Sequence, residues 1–522
     1  MSATVVFYIC VQVIGTMNVN EYGGDPATAH RTAIEEVTEF REFGAWVGGE
    51  STSGEGSERI ETTDPVTDQQ IAEIPAFRRS DVDTAVSVAW TAFETTWSET
   101  TPAERSRMLS NWIDELQSHA EELTLLECLD TGKPRAHARA EVQGAIETLE
   151  YYAAAARINE GKQIDAENDL HLYTRQEPYG VVGQIVPWNF PIWAAAWKLG
   201  PALAAGNCTV LKPSANTPLT TIRMAQLTAD ILPDGVVNVV TGSGSRVGGH
   251  LTEHDDVRKI SFTGSEAVGK QVMESAADHF AAVTLELGGK SPFVVFPDAD
   301  MDKVVDAVAE GVFYSTGEIC DALSRAIVHE DIIDEFTDRF VEKAESHVLG
   351  DPLKDETTMG PLTTAAQLET VQEYIQTGLD EGATLLTGGN IPTDPELQDG
   401  WYIEPTVFGD VTNDMRIAQE EIFGPVQTIQ SFSTYEEAIK LANDTKFGLA
   451  AGIGTEKTSL AHNAAADIDA GLIYVNDYGP ILPDAPYGGF KNSGIGRDLG
   501  EEALDHYRQT KSVYVNLDEP SL

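Results

Sequence analysis

The chain has 522 residues, with 84 Asp or Glu against 34 Lys or Arg and a formal net charge of −50. Such a surface repels nucleic acid and anionic membranes, which argues against both as partners, and the length allows two or three domains. With 42% hydrophobic residues the chain is no disordered polyanion. Acid spread along its whole length suits a cytoplasm rich in salt, where screening weakens carboxylate repulsion, and so a halophilic source.

Residues 1–16 are apolar and carry no Lys or Arg. That fits neither a secretory signal nor a membrane span, and the expectation is that Met17 is the true start. Residues 1–45 are read as an N-terminal extension, followed by the loop signal Gly48-Gly49-Glu50-Ser51. Ile60 to Pro75 reads as a hairpin around Asp64-Pro65. Three helices follow: one capped by Ser80 that carries Val82, Ala85, Val86, Ala89 and Phe93; one opened by Thr101-Pro102 with the stripe Leu109, Trp112, Ile113 and Leu116; and one over 136–158. All three read as packing elements.

His171 to Gln184 is strand-rich with a turn at Pro178-Tyr179-Gly180, and Thr510 to Leu517 alternates as a strand does. Residues 181–290 alternate short apolar strands with helices, the pattern of an open parallel sheet. A second α/β segment begins near residue 289. The four cysteines, Cys10, Cys128, Cys208 and Cys320, show neither CxxC pairing nor zinc-ligand spacing, which fits a reducing cytoplasm.

Several strings carry chemistry. Val186-Pro187-Trp188-Asn189-Phe190-Pro191 ends a strand, and Asn189 there is either a turn residue or an amide donor to an oxyanion. Lys212 ends the strand Val210-Leu211-Lys212, solvated or facing a ribose. Gly264-Ser265 follows a strand and opens a helix, as a simple cap or a pyrophosphate site. Glu286 precedes Leu287-Gly288-Gly289-Lys290, whose glycines permit close backbone approach. Cys320, between Gly317-Glu318 and Asp321, is a thiol that a nearby carboxylate can activate. Glu420-Glu421-Ile422-Phe423-Gly424-Pro425 follows a helical turn, and a glycine-rich loop spans Pro486 to Arg497.

The Glu-Leu-Gly-Gly-Lys and Gly-Glu-x-Cys boxes, with the other strings in this order, resemble the aldehyde dehydrogenase superfamily over about residues 60 to 517. The resemblance implies an α/β fold with a Rossmann-like cofactor domain (46–158 and 180–288), an α/β catalytic domain (289–505) and a small β oligomerisation arm (159–179 and 506–522). It implies a homodimer or homotetramer that oxidises an aldehyde with NAD or NADP. Cys320 would attack the carbonyl, Asn189 would hold the oxyanion, Glu286 would activate the hydrolytic water, and Lys198 would join a proton path. Val186, Pro187, Trp188, Lys212, Ser214, Ala215, Gly264, Ser265, Gly269, Leu287, Glu421 and Phe423 would bind the cofactor. NAD-preferring members usually carry Glu where this chain has Ala215, so discrimination against a 2′-phosphate is lost here. Phe190, Trp197, Tyr314 and Tyr487 would line the substrate tunnel. Four aromatics suit betaine aldehyde or an amino-aldehyde through cation–π contacts, and equally suit simple aliphatic or aromatic aldehydes. Two other classes compete: a thiol esterase that needs no nicotinamide, and an inactive nucleotide-binding structural protein.

Overall fold

The computed structural model describes residues 22, 24–38, 43–166 and 170–517; the expected start at Met17 lies outside them. Five parallel strands form the middle of the first sheet. Their order is Ala282–Glu286, Lys259–Thr263, Val181–Ile185, Cys208–Lys212 and Val237–Val239. The chain enters at Val181–Ile185, steps outward to one side, then crosses to the other with Lys259–Thr263. That reversal opens a crevice at the carboxyl ends of those two strands. Cys208–Lys212 is buried at every position, as a central strand covered on both faces is, so its sequence does not alternate apolar with polar.

In the second sheet the order is Thr384–Thr387, Thr406–Gly409, Val426–Phe432, Arg325–His329, Pro292–Val295, Ala450–Gly454 and Leu472–Val475, parallel except for the first pair. Helices Met301–Phe313 and Ile333–Glu345 cover it, with Phe313, Phe336 and Phe340 in their shared core. A third, small sheet pairs Leu170–Pro178 antiparallel with Arg508–Asn516 and with Gln163–Ile164. Its apolar residues are largely uncovered: Leu170 is 44% exposed, Tyr514 68% and Val515 38%.

The hairpin Arg59–Thr63/Gln70–Pro75 and the helix Pro102–Ser118 form as expected. Thr101 Oγ1 accepts from Glu104 N while the Glu104 carboxylate accepts from Thr101 N, closing a capping box. The expected Ser80 cap is corrected. The helix is Arg79–Thr95, its N-cap is Arg78, Asp81 accepts from Arg78 N at 2.7 Å, and Ser80 turns outward to Glu55. A helix at Ala120–Thr131 was not expected; it is buried from Leu123 onward, so no amphipathic stripe announces it. The third expected helix runs Arg135–Ala155. The expected loop at Gly48-Gly49 is the turn of a hairpin between Ala45–Val47 and Glu50–Thr52, and both glycines have positive φ. Gly494–Ile495, placed within 289–505, pairs instead with Ala282–Glu286 at the edge of the first sheet.

Part of the expected extension is integral to the fold. Pro26–Thr38 is a helix with Ala29, Ala33, Ile34 and Val37 in the first core. His30, fully buried on it, lies 2.9 Å from both the Asp64 and the Asp351 carboxylates. Burial alone would lower the His30 pKa, and the two carboxylates more than reverse this, raising it to about 9 from an ordinary 6.5. The raised value stabilises the fold by about 3 kcal/mol, fully below the unfolded pKa. This stabilisation is lost as pH rises from about 6.5 through about 9. Unfolding curves across that window should show wild type losing its advantage over His30→Gln; a constant gap would contradict the assignment.

Candidate active site

After helix Met301–Phe313 the chain turns sharply through Ser315 (φ 49°), Thr316 (φ 54°) and Gly317 (φ 76°). Left-handed conformations cost about 1 kcal/mol or more at non-glycine residues, and the surrounding packing holds them. A Cβ at Gly317 would lie 2.3 Å from the Gly424 carbonyl, and one at Gly289 would lie 2.5 Å from the Cys320 carbonyl oxygen. The two boxes therefore touch backbone to backbone, which is what the glycine after Gly288 permits. Cys320 Sγ lies 3.1 Å from Tyr487 Oη. Burial pushes the Cys320 thiol up, and the neighbouring Asp321 carboxylate adds to this. Asp321 itself is buried and accepts from Tyr474 Oη and Tyr478 Oη, each at 3.2 Å.

Glu286 ends the strand Ala282–Glu286 and is 4% exposed. Neither carboxylate oxygen has a side-chain hydrogen-bond partner among the described residues, and only the Asp498 backbone N–H faces the group. Burial raises its pKa well above the usual range, the Asp498 charge adds to this, and Lys198 and Arg497 oppose it. The glycine-rich loop closes over it: a Cβ at Gly488 would lie 2.6 Å from Glu286 Oε1. Lys198 and Asp498 form a buried ion pair at 2.5 Å. A carboxyl without side-chain partners, in a place where its charge is costly, is poised to take a proton from something that enters.

The turn after Val181–Ile185 carries the amide. Asn189 is 4% exposed and donates through Nδ2 to the Glu318 carbonyl at 2.8 Å, two residues before the nucleophile. One helix further, Phe190, Trp193, Trp197 and Tyr487 run as a series of aromatic contacts with centroids 6.1, 5.8 and 4.8 Å apart, the first two edge to face and the last tilted. Tyr314 stands apart from that series, stacked on His137 at 4.1 Å. Trp188 meets Phe423 edge to face at 5.3 Å, and Phe423 has φ +59°. Glu421 Oε1 accepts from Gly289 N at 3.0 Å, and burial lifts the Glu421 carboxyl to about 7.

One cleft of about 2880 Å³ brings together Pro187, Trp188, Asn189, Phe190, Trp197, Gly264, Ser265, Glu286, Leu287, Tyr314, Cys320, Glu421, Phe423 and Tyr487. Its wall does not include Val186, Lys198, Lys212, Ser214, Ala215 or Gly269. Lys198 sits behind the wall in its ion pair. Lys212 is buried, donates to its neighbour's carbonyl on Pro213 at 2.7 Å, and is lowered to about 8 by burial. Gly269 lies under Leu287, where a Cβ would come within 2.5 Å. Sequence reasoning missed Trp193, Tyr474, Tyr478, Asp498 and Lys133. Trp193 was recoverable, since it sits four residues before Trp197 on one helix face. Lys133, on the loop between the unexpected helix Ala120–Thr131 and a helix read as packing only, reaches Asn189 and Phe190.

A thiol, a buried carboxylate and a side-chain amide lining one cleft beside an open parallel sheet are the groups an α/β enzyme needs for covalent catalysis. A model described as the aldehyde dehydrogenase family matches residues 52–513. An aldehyde dehydrogenase from Aspergillus niger is 43% identical over 91% of this chain and 95% of its own length. The NAD+ complex of an aldehyde dehydrogenase from Bacillus cereus superposes with a TM-score of 0.90 at 41% identity, covering 92% of this chain and 98% of that one. Betaine aldehyde dehydrogenase from Staphylococcus aureus, also with NAD+, gives a TM-score of 0.92 at 36% identity, covering 94% and 98%. The chain belongs to the aldehyde dehydrogenase family.

Proposed function

We propose that this chain oxidises an aldehyde to a carboxylic acid with NAD or NADP as acceptor, using Cys320 as nucleophile and Glu286 as base. The convergence of the thiol, the buried Glu286 carboxylate and the Asn189 amide on one cleft carries the reading. Cys320 Sγ adds to the aldehyde carbonyl to give a thiohemiacetal. An amide has two N–H donors, and the one on Asn189 not directed at Glu318 meets the new oxyanion together with the Cys320 N–H. The nicotinamide supplies one thing when bound, acceptance of hydride. The resulting thioester on Cys320 is hydrolysed by a water whose proton passes to Glu286, with the Lys198–Asp498 pair behind it as the onward path.

The residues present fit the cofactor. Gly288 leaves a cradle beneath Glu421 that a side chain would fill, since a Cβ there would lie 2.1 Å from Glu421 Oε2. Glu421 would hold the nicotinamide ribose, with Phe423 and Trp188 beside the ring. The helix Glu266–His279 starts at Ser265 and offers its amino terminus to a pyrophosphate. Gly264 N already donates to the Glu286 carbonyl, so the residues after it must meet the phosphates. Val186, Lys212, Ser214 and Ala215 at the neighbouring strand ends would meet the adenosine, and Ala215 leaves both NAD and NADP acceptable. The B. cereus and S. aureus neighbours are NAD+ complexes, which supports the same use here. Gly288→Ala should displace Glu421 and raise the cofactor KM by about tenfold or more while the aldehyde KM moves little; an unchanged cofactor KM would remove Glu421 from the ribose site.

The aromatic series with Asp321 close by favours a cationic aldehyde such as betaine aldehyde or an amino-aldehyde over simple aliphatic or aromatic ones. The three sheets correspond, in this reading, to the cofactor, catalytic and arm domains. The uncovered apolar residues of the arm support pairing of two or four copies, and the acidic surface supports a salt-rich cytoplasm. Absorbance at 340 nm in high salt, with a panel of aldehydes and either cofactor, tests the whole reading. Reduction of neither cofactor by any aldehyde would overturn it in favour of the thiol esterase.

A further inference from the structure

Lys133 is 3% exposed and stands on the loop between helices Ala120–Thr131 and Arg135–Ala155. Its ammonium has three N–H donors, and the site offers three acceptors. Nζ lies 2.5 Å from Glu141 Oε2, donates to the Asn189 backbone carbonyl, and sits 4.1 Å from the centroid of the Phe190 ring. One buried cation thus grips the residue that offers the oxyanion amide and the first aromatic of the substrate series.

The mount of this lysine is stiff. Cys128 Sγ donates to the Lys133 carbonyl at 3.1 Å, and Lys133 N donates to Thr131 Oγ1 at 3.4 Å. Gly132 before it has φ +78°, and a Cβ there would come within 2.8 Å of the Pro361 ring. The Asn189 side chain is fixed independently, by the Glu318 carbonyl at 2.8 Å. Glu318 is fixed in turn by Thr363, whose Oγ1 lies 2.7 Å from its carboxylate and whose N lies 3.0 Å away. Asn189 is therefore held at both ends, by Lys133 on its backbone and by the nucleophile loop on its amide.

We propose that Lys133 is a positioning residue for the reaction: by binding the Asn189 carbonyl and the Phe190 face, it sets the oxyanion amide against Cys320. An error of about 1 Å in such a group costs about 100-fold in rate. This deepens the dehydrogenase reading and rests on it, because it needs Asn189 to act in the transition state.

A double-mutant cycle separates this role from general packing. Lys133→Met keeps the stem of the side chain and removes the charge and the donors. It should lower kcat by roughly 10- to 100-fold in the wild-type background while KM for the aldehyde changes by less than about threefold. With Asn189→Ala already present, the same change should lower kcat by less than about threefold, since the group it positions is gone. Lys133→Arg should restore part of the rate in the wild-type background. It is also the variant to use in both backgrounds should the Met form fail to fold, and it should show the same loss of effect beside Asn189→Ala. Equal losses in both backgrounds, or no loss in the wild type, would overturn the inference. If Asn189→Ala alone leaves kcat unchanged, it is the oxyanion assignment in the dehydrogenase reading that fails.

Discussion

Cys320→Ala is expected to lower aldehyde-dependent reduction of NAD or NADP by roughly 10⁴-fold or more, with cofactor binding and thermal unfolding little changed. The thiol is the only soft nucleophile in the cleft wall among the described residues, because Cys128 and Cys208 lie buried elsewhere. Little structure depends on it. The close approach to the Glu286 box goes through the Cys320 backbone carbonyl, which Ala keeps, and the hydrogen-bond partner of the sulfur is the Tyr487 hydroxyl. Loss of one such contact costs about 1 kcal/mol. Burial and the Asp321 charge keep the resting thiol protonated beyond its ordinary value of 9.0. Alkylation of free enzyme by a neutral reagent should therefore keep accelerating as pH rises past that value. Activity of Cys320→Ala within tenfold of wild type would remove Cys320 from the proposed chemistry.

Glu286→Gln is expected to separate the two halves of the reaction. Steady-state turnover should fall by roughly 10²- to 10⁴-fold, the usual worth of a general base. A first burst of about one reduced cofactor per site should survive, because hydride leaves before water attacks. The substitution is close to isosteric and breaks no side-chain hydrogen bond among the described residues, and its amide oxygen can still face the Asp498 backbone N–H. The pH profile carries the same information. Burial, with Asp498 adding, holds the Glu286 carboxyl neutral well above the usual range. Its base form appears only as pH rises through the raised pKa, so wild-type deacylation should climb with pH and the climb should be absent from Glu286→Gln. A variant without a burst would reassign Glu286 to activating the thiol.

Where one residue type has one physical use, the sequence was readable. Thr101-Pro102 opens a helix, Val210 and Leu211 belong to a buried strand that ends in Lys212, and Leu109, Trp112, Ile113 and Leu116 repeat with the helix. Cys320, Glu286 and Asn189 stood out because their strings recur in order, and the fold carries them to one cleft. What escaped depends on tertiary packing. Ala120–Thr131 is buried almost all round and shows no stripe, and Pro26–Thr38 lies in a polar stretch whose few apolar residues find the core. The left-handed pair Ser315 and Thr316 is imposed by neighbours, not by residue preference. Lys133 acts across 56 positions of sequence, and nothing in its local string says that a cation is needed under Asn189. That Lys212 turns back to the Pro213 carbonyl was likewise invisible, because a strand end states where a side chain leaves the sheet and not what it then meets.

The central claim is a covalent acyl intermediate on Cys320, and the most direct measurement is mass spectrometry of Glu286→Gln quenched in acid after one turnover with aldehyde and cofactor. The account predicts a mass increase equal to the aldehyde less two hydrogens (one passed on as hydride, one lost from the thiol), confined to the peptide that contains Cys320, and dependent on the presence of the cofactor. An unmodified Cys320 peptide after a measured burst, or the adduct on another residue, would contradict it.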